Sequence, residues 1–150
     1  SSAVRVSNSS NYFTAPTNVY FYSQNSSVTA WVKLYDCSQG FRLIDFSNGP
    51  NTDNVIIFFG SPNCNLGSVL HDGTSSTFLV GSISLLPHEW YHVAVVYTGP
   101  NFKLYVNGNL SGNINGKTII VQNKTLALLG ESAWEQDSGI IFINYFTISL

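Results

Sequence analysis

Apolar positions in this chain recur mostly with a period of two. In Trp90-Tyr91-His92-Val93-Ala94-Val95-Val96-Tyr97, one strand face would carry Trp90, His92, Ala94 and Val96. The other would carry Tyr91, Val93, Val95 and Tyr97. The next apolar run, Lys103-Leu104-Tyr105-Val106, stops at Asn107-Gly108. Asn-Gly is the dipeptide that most readily takes positive φ at both centres of a type I′ turn. The pattern predicts a long strand, a short polar turn, a second strand and a tight reversal. Val28 to Leu34 alternates in the same way, with Val28, Ala30, Val32 and Leu34 opposed to Thr29, Trp31 and Lys33.

Apolar residues rarely recur at i, i+3 and i+4, so no helix is predicted. Strands are predicted over 3–6, 12–14, 28–34, 41–46, 54–59, 67–71, 77–80, 90–97, 102–106, 117–121, 125–129 and 140–148. Turn clusters such as Ser47-Asn48-Gly49-Pro50-Asn51 and Asp72-Gly73-Thr74-Ser75 separate them. Many short strands punctuated in this way predict an all-β fold, an antiparallel β-sandwich. The last run, Ile140 to Leu150, is expected to be a central strand paired with the N-terminal strand. That pairing would bring the termini together, as suits a module excised from a longer protein.

Composition narrows the function. The 150 residues are read as a single domain. Charged residues make up 9% of the chain, and 6 Lys and Arg face 8 Asp and Glu. No basic stripe exists to neutralise phosphates, which argues against a nucleic-acid partner. The polar surface must come from Asn, Ser, Thr and Gly, a composition suited to hydroxyl-rich ligands. No apolar run approaches the roughly 20 residues of a membrane-spanning helix, so no membrane insertion is expected. The chain begins Ser1-Ser2, which reads as a mature or excised segment.

Cys37 and Cys64 each follow a strand-like run beside turn residues. They are expected to form one disulfide in an oxidising, extracellular setting, secreted or cell-surface; the alternative is two free thiols. Sequons at Asn8, Asn25, Asn109 and Asn123 carry little weight, because Asn, Ser and Thr are so abundant here.

Five stretches, in order, resemble the laminin-G-like jelly-roll of the concanavalin A-like lectin/glucanase superfamily. Ala3 to Tyr12 is similar to its opening strand–turn–strand, and Val28-Thr29-Ala30-Trp31-Val32-Lys33 to its strand with a central Trp. Arg42 to Gly49 resembles a hairpin approaching a Gly turn, and Trp90 to Gly108 resembles the core hairpin. Leu129-Gly130-Glu131-Ser132-Ala133-Trp134 with Asp137 resembles the penultimate strand and its loop. There are departures. The opening turn reads Asn8-Ser9 where the family usually carries Asp-Gly, and the closing strand reads Ile143-Asn144-Tyr145-Phe146 where acids are usual.

The resemblance also raises glycoside hydrolysis, since the superfamily includes glucanases. Their Glu-x-Asp-x-Glu pattern is met only by Glu135-Gln136-Asp137, with Gly139 at the third acid's position. Retaining hydrolysis needs two carboxylates about 5–5.5 Å apart, so the incomplete pattern argues against an enzyme. No Gly-x-Ser-x-Gly elbow is present. His92 is expected to pack inward with Trp90, and Trp31 to lie in the core.

Binding chemistry points elsewhere. Trp134 lies in a polar loop and is a candidate sugar platform, or else a cover for the sandwich edge. Glu131, Glu135 and Asp137 are candidate hydroxyl partners, followed by Asn48, Asn51 and Asn54 near the hairpin turn. Turn chemistry alone would also explain that Asn cluster. The resemblance implies calcium at a sandwich rim, for which Asp53, Asp72 and Asp137 are the candidate ligands. The expected function is a non-catalytic extracellular recognition module binding glycans or glycoproteins in adhesion. A protein-binding or structural adhesion module is the second reading, and a hydrolase the third.

Overall fold

A computed structural model describes residues 3–7, 11–14, 19–20, 25–37, 41–50, 52–60, 62–71, 73–116, 123–131 and 140–149. Among these residues there is no helix. The strands are β1 (Val4–Ser7), β2 (Phe13–Thr14), β3 (Val19–Tyr20), β4 (Asn25–Leu34), β5 (Phe41–Ser47), β6 (Val55–Gly60) and β7 (Asn65–His71). There follow β8 (Ser76–Val80), β9 (Trp90–Thr98), β10 (Asn101–Val106), β11 (Asn109–Asn115), β12 (Asn123–Lys124), β13 (Leu126–Leu129) and β14 (Ile140–Ser149). One six-stranded sheet runs β1-β14-β4-β9-β10-β11 and a second runs β2-β13-β5-β6-β7-β8, with β12 and β3 forming a small pair. Every pairing is antiparallel.

The expected sandwich is therefore the observed one, and β14 lies between β1 and β4 as the final apolar run predicts. The Asn107-Gly108 reversal has φ of 49° and 78°, the paired positive values of a type I′ turn. It delivers β11 onto β10. The strand expectations omit β11 because Asn109-Leu110-Ser111-Gly112-Asn113-Ile114-Asn115 is too polar to read as a strand alone. The turn and one neighbouring ladder make it one. The strand expected over 117–121 lies outside the described residues.

The core lies between the sheets. Val28, Ala30, Val32 and Leu34 of β4 and Val93, Val95 and Tyr97 of β9 meet Leu43, Phe46, Ile57, Phe59 and Leu66 of the other sheet. Antiparallel sheets take this form when one face is buried and the other wetted. The second sheet departs from the pattern. Asp45, Ile56 and Val69 point away from the core and are still at most 3% exposed. This explains why Val55-Ile56-Ile57-Phe58-Phe59 is continuously apolar rather than alternating.

At Gly130 and Gly67 a close approach requires glycine. Gly130 has φ +81°, and a Cβ there would strike the Val6 side chain. Gly67 lies under the Phe58 ring, which a Cβ would also strike. The Arg42 guanidinium lies 5.5 Å from the centre of that ring.

Candidate functional site

The two sheets differ in what their outer faces expose. On the β1-β14-β4-β9-β10-β11 sheet, Tyr145, Trp31 and His92 stand side by side in one cross-strand row. Trp31 is 42% exposed and Tyr145 60%. The Trp31 and His92 rings meet edge-on at 5.5 Å. The adjacent row holds Arg5, Phe142, Lys33 and Trp90, one from each of four neighbouring strands. The Lys33 ammonium lies 4.9 Å from the centre of the Phe142 ring and 5.3 Å from that of Trp90. The long Lys33 stem thus runs over apolar surface while its charge is held between two π faces.

Local sequence builds these rows, with one correction to the expected parity. In β4 the burial alternation places Trp31 with Thr29 and Lys33, away from the core. In β9 the buried face is Val93, Val95 and Tyr97, so Trp90 and His92 lie half-buried on the outside. The expectation of a core Trp31 and an inward Trp90–His92 pair is overturned. The face with Val93, Val95 and Tyr97 buries more aliphatic surface, and it wins the interior.

In β14 a bulge inserts Asn144 between Ile143, opposite Val32, and Tyr145, opposite Trp31. Without the bulge, strict alternation over Ile143, Asn144 and Tyr145 would turn Tyr145 inward. The bulge re-phases the strand, sending Tyr145 out beside Trp31 and packing Phe146 and Ile148 against the core. The His92 backbone is pinned as well, because its N–H donates to Asn107 Oδ1 at 2.9 Å and its C=O accepts from Asn107 N–H at 2.7 Å.

The residues favoured from sequence fare differently. Trp134, Glu135 and Asp137, and likewise Asn51 and Asp72, lie outside the described residues. Glu131 is half-buried just after Gly130. Asn48 serves the turn, its backbone N–H donating to Thr52 O and its side-chain oxygen accepting from Thr125 N–H at 2.9 Å. Asn54 is 1% exposed and donates to Asp45 Oδ1 at 3.2 Å. A surface ligand does not reach it, which corrects the expected ligand contact and assigns Asn54 to the interior.

Asp53 holds a left-handed backbone with φ 53°. Its carbonyl accepts from the ammonium of Lys124, a residue 1% exposed. Burial lowers the Lys124 pKa below its ordinary value, and the nearby Asp53 charge opposes that shift. The Lys124 ammonium thus takes up the Asp53 carbonyl oxygen, one of the oxygens that a calcium ion at this position would use. Among the described residues no three His, Cys, Asp or Glu side chains come together as a metal site.

Cys37 and Cys64 are disulfide-bonded, with Cα atoms 5.2 Å apart. The bridge ties the segment after β4 to the β6–β7 turn, one from each sheet.

Sequence reading missed the Trp31 face, although a signal was available. Trp31 shares strand parity with Thr29 and Lys33, which is the polar face of β4. Its neighbours in the row, by contrast, come from strands 60 and more residues distant and become visible only in the register.

No curated protein matches the chain by sequence. Solved structures do match in fold. Mouse laminin α1 domains LG4-5 align over 99% of this chain and 41% of theirs, with TM-score 0.72 and 12% identity. The ligand-binding domain of botulinum neurotoxin serotype D, solved with N-acetylneuraminic acid, aligns over 96% of this chain and 37% of its own, with TM-score 0.68 and 18% identity. The carbohydrate-binding module CBM66 from Bacillus subtilis aligns over 85% of this chain and 76% of its own, with TM-score 0.59 and 10% identity. The chain spans about 40% of the laminin and serotype D structures it matches. A family model, Laminin_G_3, described as concanavalin A-like lectin/glucanases superfamily, matches residues 7–140. With nine-tenths of its length under that model and the sandwich described above, the chain belongs to the laminin-G-like family of the concanavalin A-like superfamily.

Proposed function

We propose that this chain is a non-catalytic, extracellular recognition module that binds glycans on the outer face of its β1-β14-β4-β9-β10-β11 sheet. The observation that carries the reading is the exposed row Tyr145–Trp31–His92. Sugar C–H groups stack on aromatic faces, and a solvent-facing Trp flanked by two more rings offers such a platform. Rings held in a sheet lose little further freedom on binding, which favours affinity. The disulfide is in keeping with an oxidising, extracellular setting. CBM66 by its name, and the serotype D domain by its bound sugar, set carbohydrate recognition on the same fold.

The test is a glycan array with the purified domain, with calcium and again with EDTA, repeated for Trp31→Ala and Trp134→Ala. Loss of binding in Trp31→Ala alone, with an unchanged melting temperature, supports the sheet-face site. Loss in Trp134→Ala alone moves the site to the segment around Trp134. No binding by the folded wild type favours a protein ligand, which would cover roughly 600–1,000 Å² of this flat face. A botulinum binding domain solved with rat synaptotagmin II sets protein recognition on the same fold.

A further inference from the structure

We propose that the outer face of the β1-β14-β4-β9-β10-β11 sheet carries a second sugar subsite, a hollow at the far end of β4 and β9 that selects N-acetylhexosamines over the parent hexoses. A linear oligosaccharide of such units would lie along β4, with one ring on Trp31 and one acetamido group in the hollow. This rests on the reading of that face as the glycan site.

The hollow itself is the first support. It has a volume of about 210 Å³ and is lined by Asn25, Ser27, Val96, Thr98 and Ser149. Strand parity puts all five on the outer face. Asn25 and Ser27 alternate with the buried Ser26 and Val28, Val96 and Thr98 flank the buried Tyr97, and Ser149 follows Ile148, which packs against the core. Register brings them into two adjacent rows, Ser149–Ser27–Val96 and Asn25–Thr98. The Asn25 side chain is held in place, its Oδ1 accepting from the Gly99 N–H at 3.1 Å. Pockets for drug-sized ligands usually measure about 300–1,000 Å³, so this space suits one sugar substituent rather than a whole ligand.

Lining chemistry is the second support. Among the residues that line the hollow none is charged. The Ser27, Thr98 and Ser149 hydroxyls and the Asn25 carboxamide can both donate and accept, and Val96 supplies an apolar wall. An acetamido group matches that mixture, with an amide N–H and C=O for the polar side chains and a methyl for the valine. A hexose hydroxyl at the same position sets a polar group against Val96 and forgoes the burial of the methyl. Position is the third support. Ser27 lies four residues from Trp31 on the same face, about 13 Å along the strand. One sugar ring does not bridge that distance, and a short linear oligosaccharide does. The row between them, Thr147–Thr29–Ala94, has only small side chains, which leaves the path along β4 open.

Isothermal titration would compare chitotetraose with cellotetraose, which share ring and linkage and differ in the acetamido group, and would add chitobiose as the short member. The proteins are wild type, Ser27→Tyr, which fills the hollow, and Val96→Thr, which exchanges a methyl for a hydroxyl, each checked by thermal melting. Chitotetraose should bind wild type roughly tenfold or more tightly than cellotetraose, as expected for a buried methyl and an added hydrogen bond. It should also bind more tightly than chitobiose, which is too short to reach from Trp31 to the hollow. The preference for the acetylated tetramer should collapse in Ser27→Tyr and shrink in Val96→Thr. Equal binding of the two tetramers would overturn the N-acetyl selectivity and leave the glycan reading intact. Binding of array glycans but of neither tetramer would do the same. Equal affinity for chitobiose and chitotetraose would overturn the span from Trp31 to the hollow. A preference persisting in folded Ser27→Tyr would overturn the hollow as its seat. Failure of the folded wild type to bind any glycan on the array would overturn both readings.

Discussion

The Tyr97 hydroxyl in β9 lies 3.0 Å from Ser68 Oγ in β7, across the interior between the two sheets. Ser68 itself donates to the Ile56 carbonyl at 2.6 Å, so the serine oxygen accepts from the tyrosine. A directed chain of hydrogen bonds therefore crosses an otherwise apolar core. Phe102 stacks on the Tyr97 ring at 4.8 Å. Burial pushes the Tyr97 pKa well above its ordinary value.

This relationship predicts an alkaline weakness. Below the ordinary tyrosine pKa of about 10, folded and unfolded states both keep the proton, and the contribution to stability is constant. Above it the unfolded phenol ionises while the buried one does not, so stability falls as pH rises. The slope contributed approaches about 1.4 kcal/mol per pH unit. Tyr97→Phe should cost about 1 kcal/mol at neutral pH. It should lose less stability than wild type between neutral pH and pH above 10. Denaturant melts across that range read the difference, and parallel pH curves would sink the argument.

Removing the disulfide should be costly. Cys37 and Cys64 are 27 residues apart, and opening a loop of that length costs about 3–4 kcal/mol in chain entropy. A Cys37→Ser/Cys64→Ser protein should melt roughly 10 °C lower. Reducing agent should lower the wild-type Tm in the same direction and leave the double serine variant unmoved.

Gly130→Ala should destabilise by about 2–4 kcal/mol, because the new methyl both meets Val6 and must occupy a left-handed backbone. Val6→Ala in the same chain removes the Cγ contacts but keeps the Cβ at 2.8 Å and the φ penalty. Partial recovery in the double mutant, measured by urea melts, distinguishes the two contributions.

Trp31→Ala should change stability by about 0.5 kcal/mol or less, as an exposed substitution away from the core. The same change should weaken glycan binding about tenfold or more if the ring is the platform. A large loss of Tm with unchanged binding would reverse the assignment and make Trp31 structural.

Millimolar calcium should move the wild-type Tm by less than about 1 °C if Lys124 is the cation serving Asp53. A rise of several degrees that EDTA reverses would locate a calcium ion elsewhere on the rim. Asp72→Asn and Asp137→Asn would then separate the two remaining candidates.

Local pattern alone fixes the strand character, the Asn107-Gly108 reversal, the division of β4 into two faces and the central position of the last strand, though not which β4 face turns inward. These follow from local periodicity and from turn residues whose allowed φ is intrinsic. Which face of β9 turns inward was a contest between two apolar sets of similar appearance, and only packing against Leu43, Phe46 and Ile57 settled it. The polar β11 became a strand because its neighbour and the turn offered it a ladder. The row Tyr145–Trp31–His92 was the least legible feature. Its members come from three strands far apart in the chain, and a one-residue bulge at Asn144 decides whether Tyr145 joins them. Register across a sheet is set by the whole set of pairings, and no window of sequence contains it.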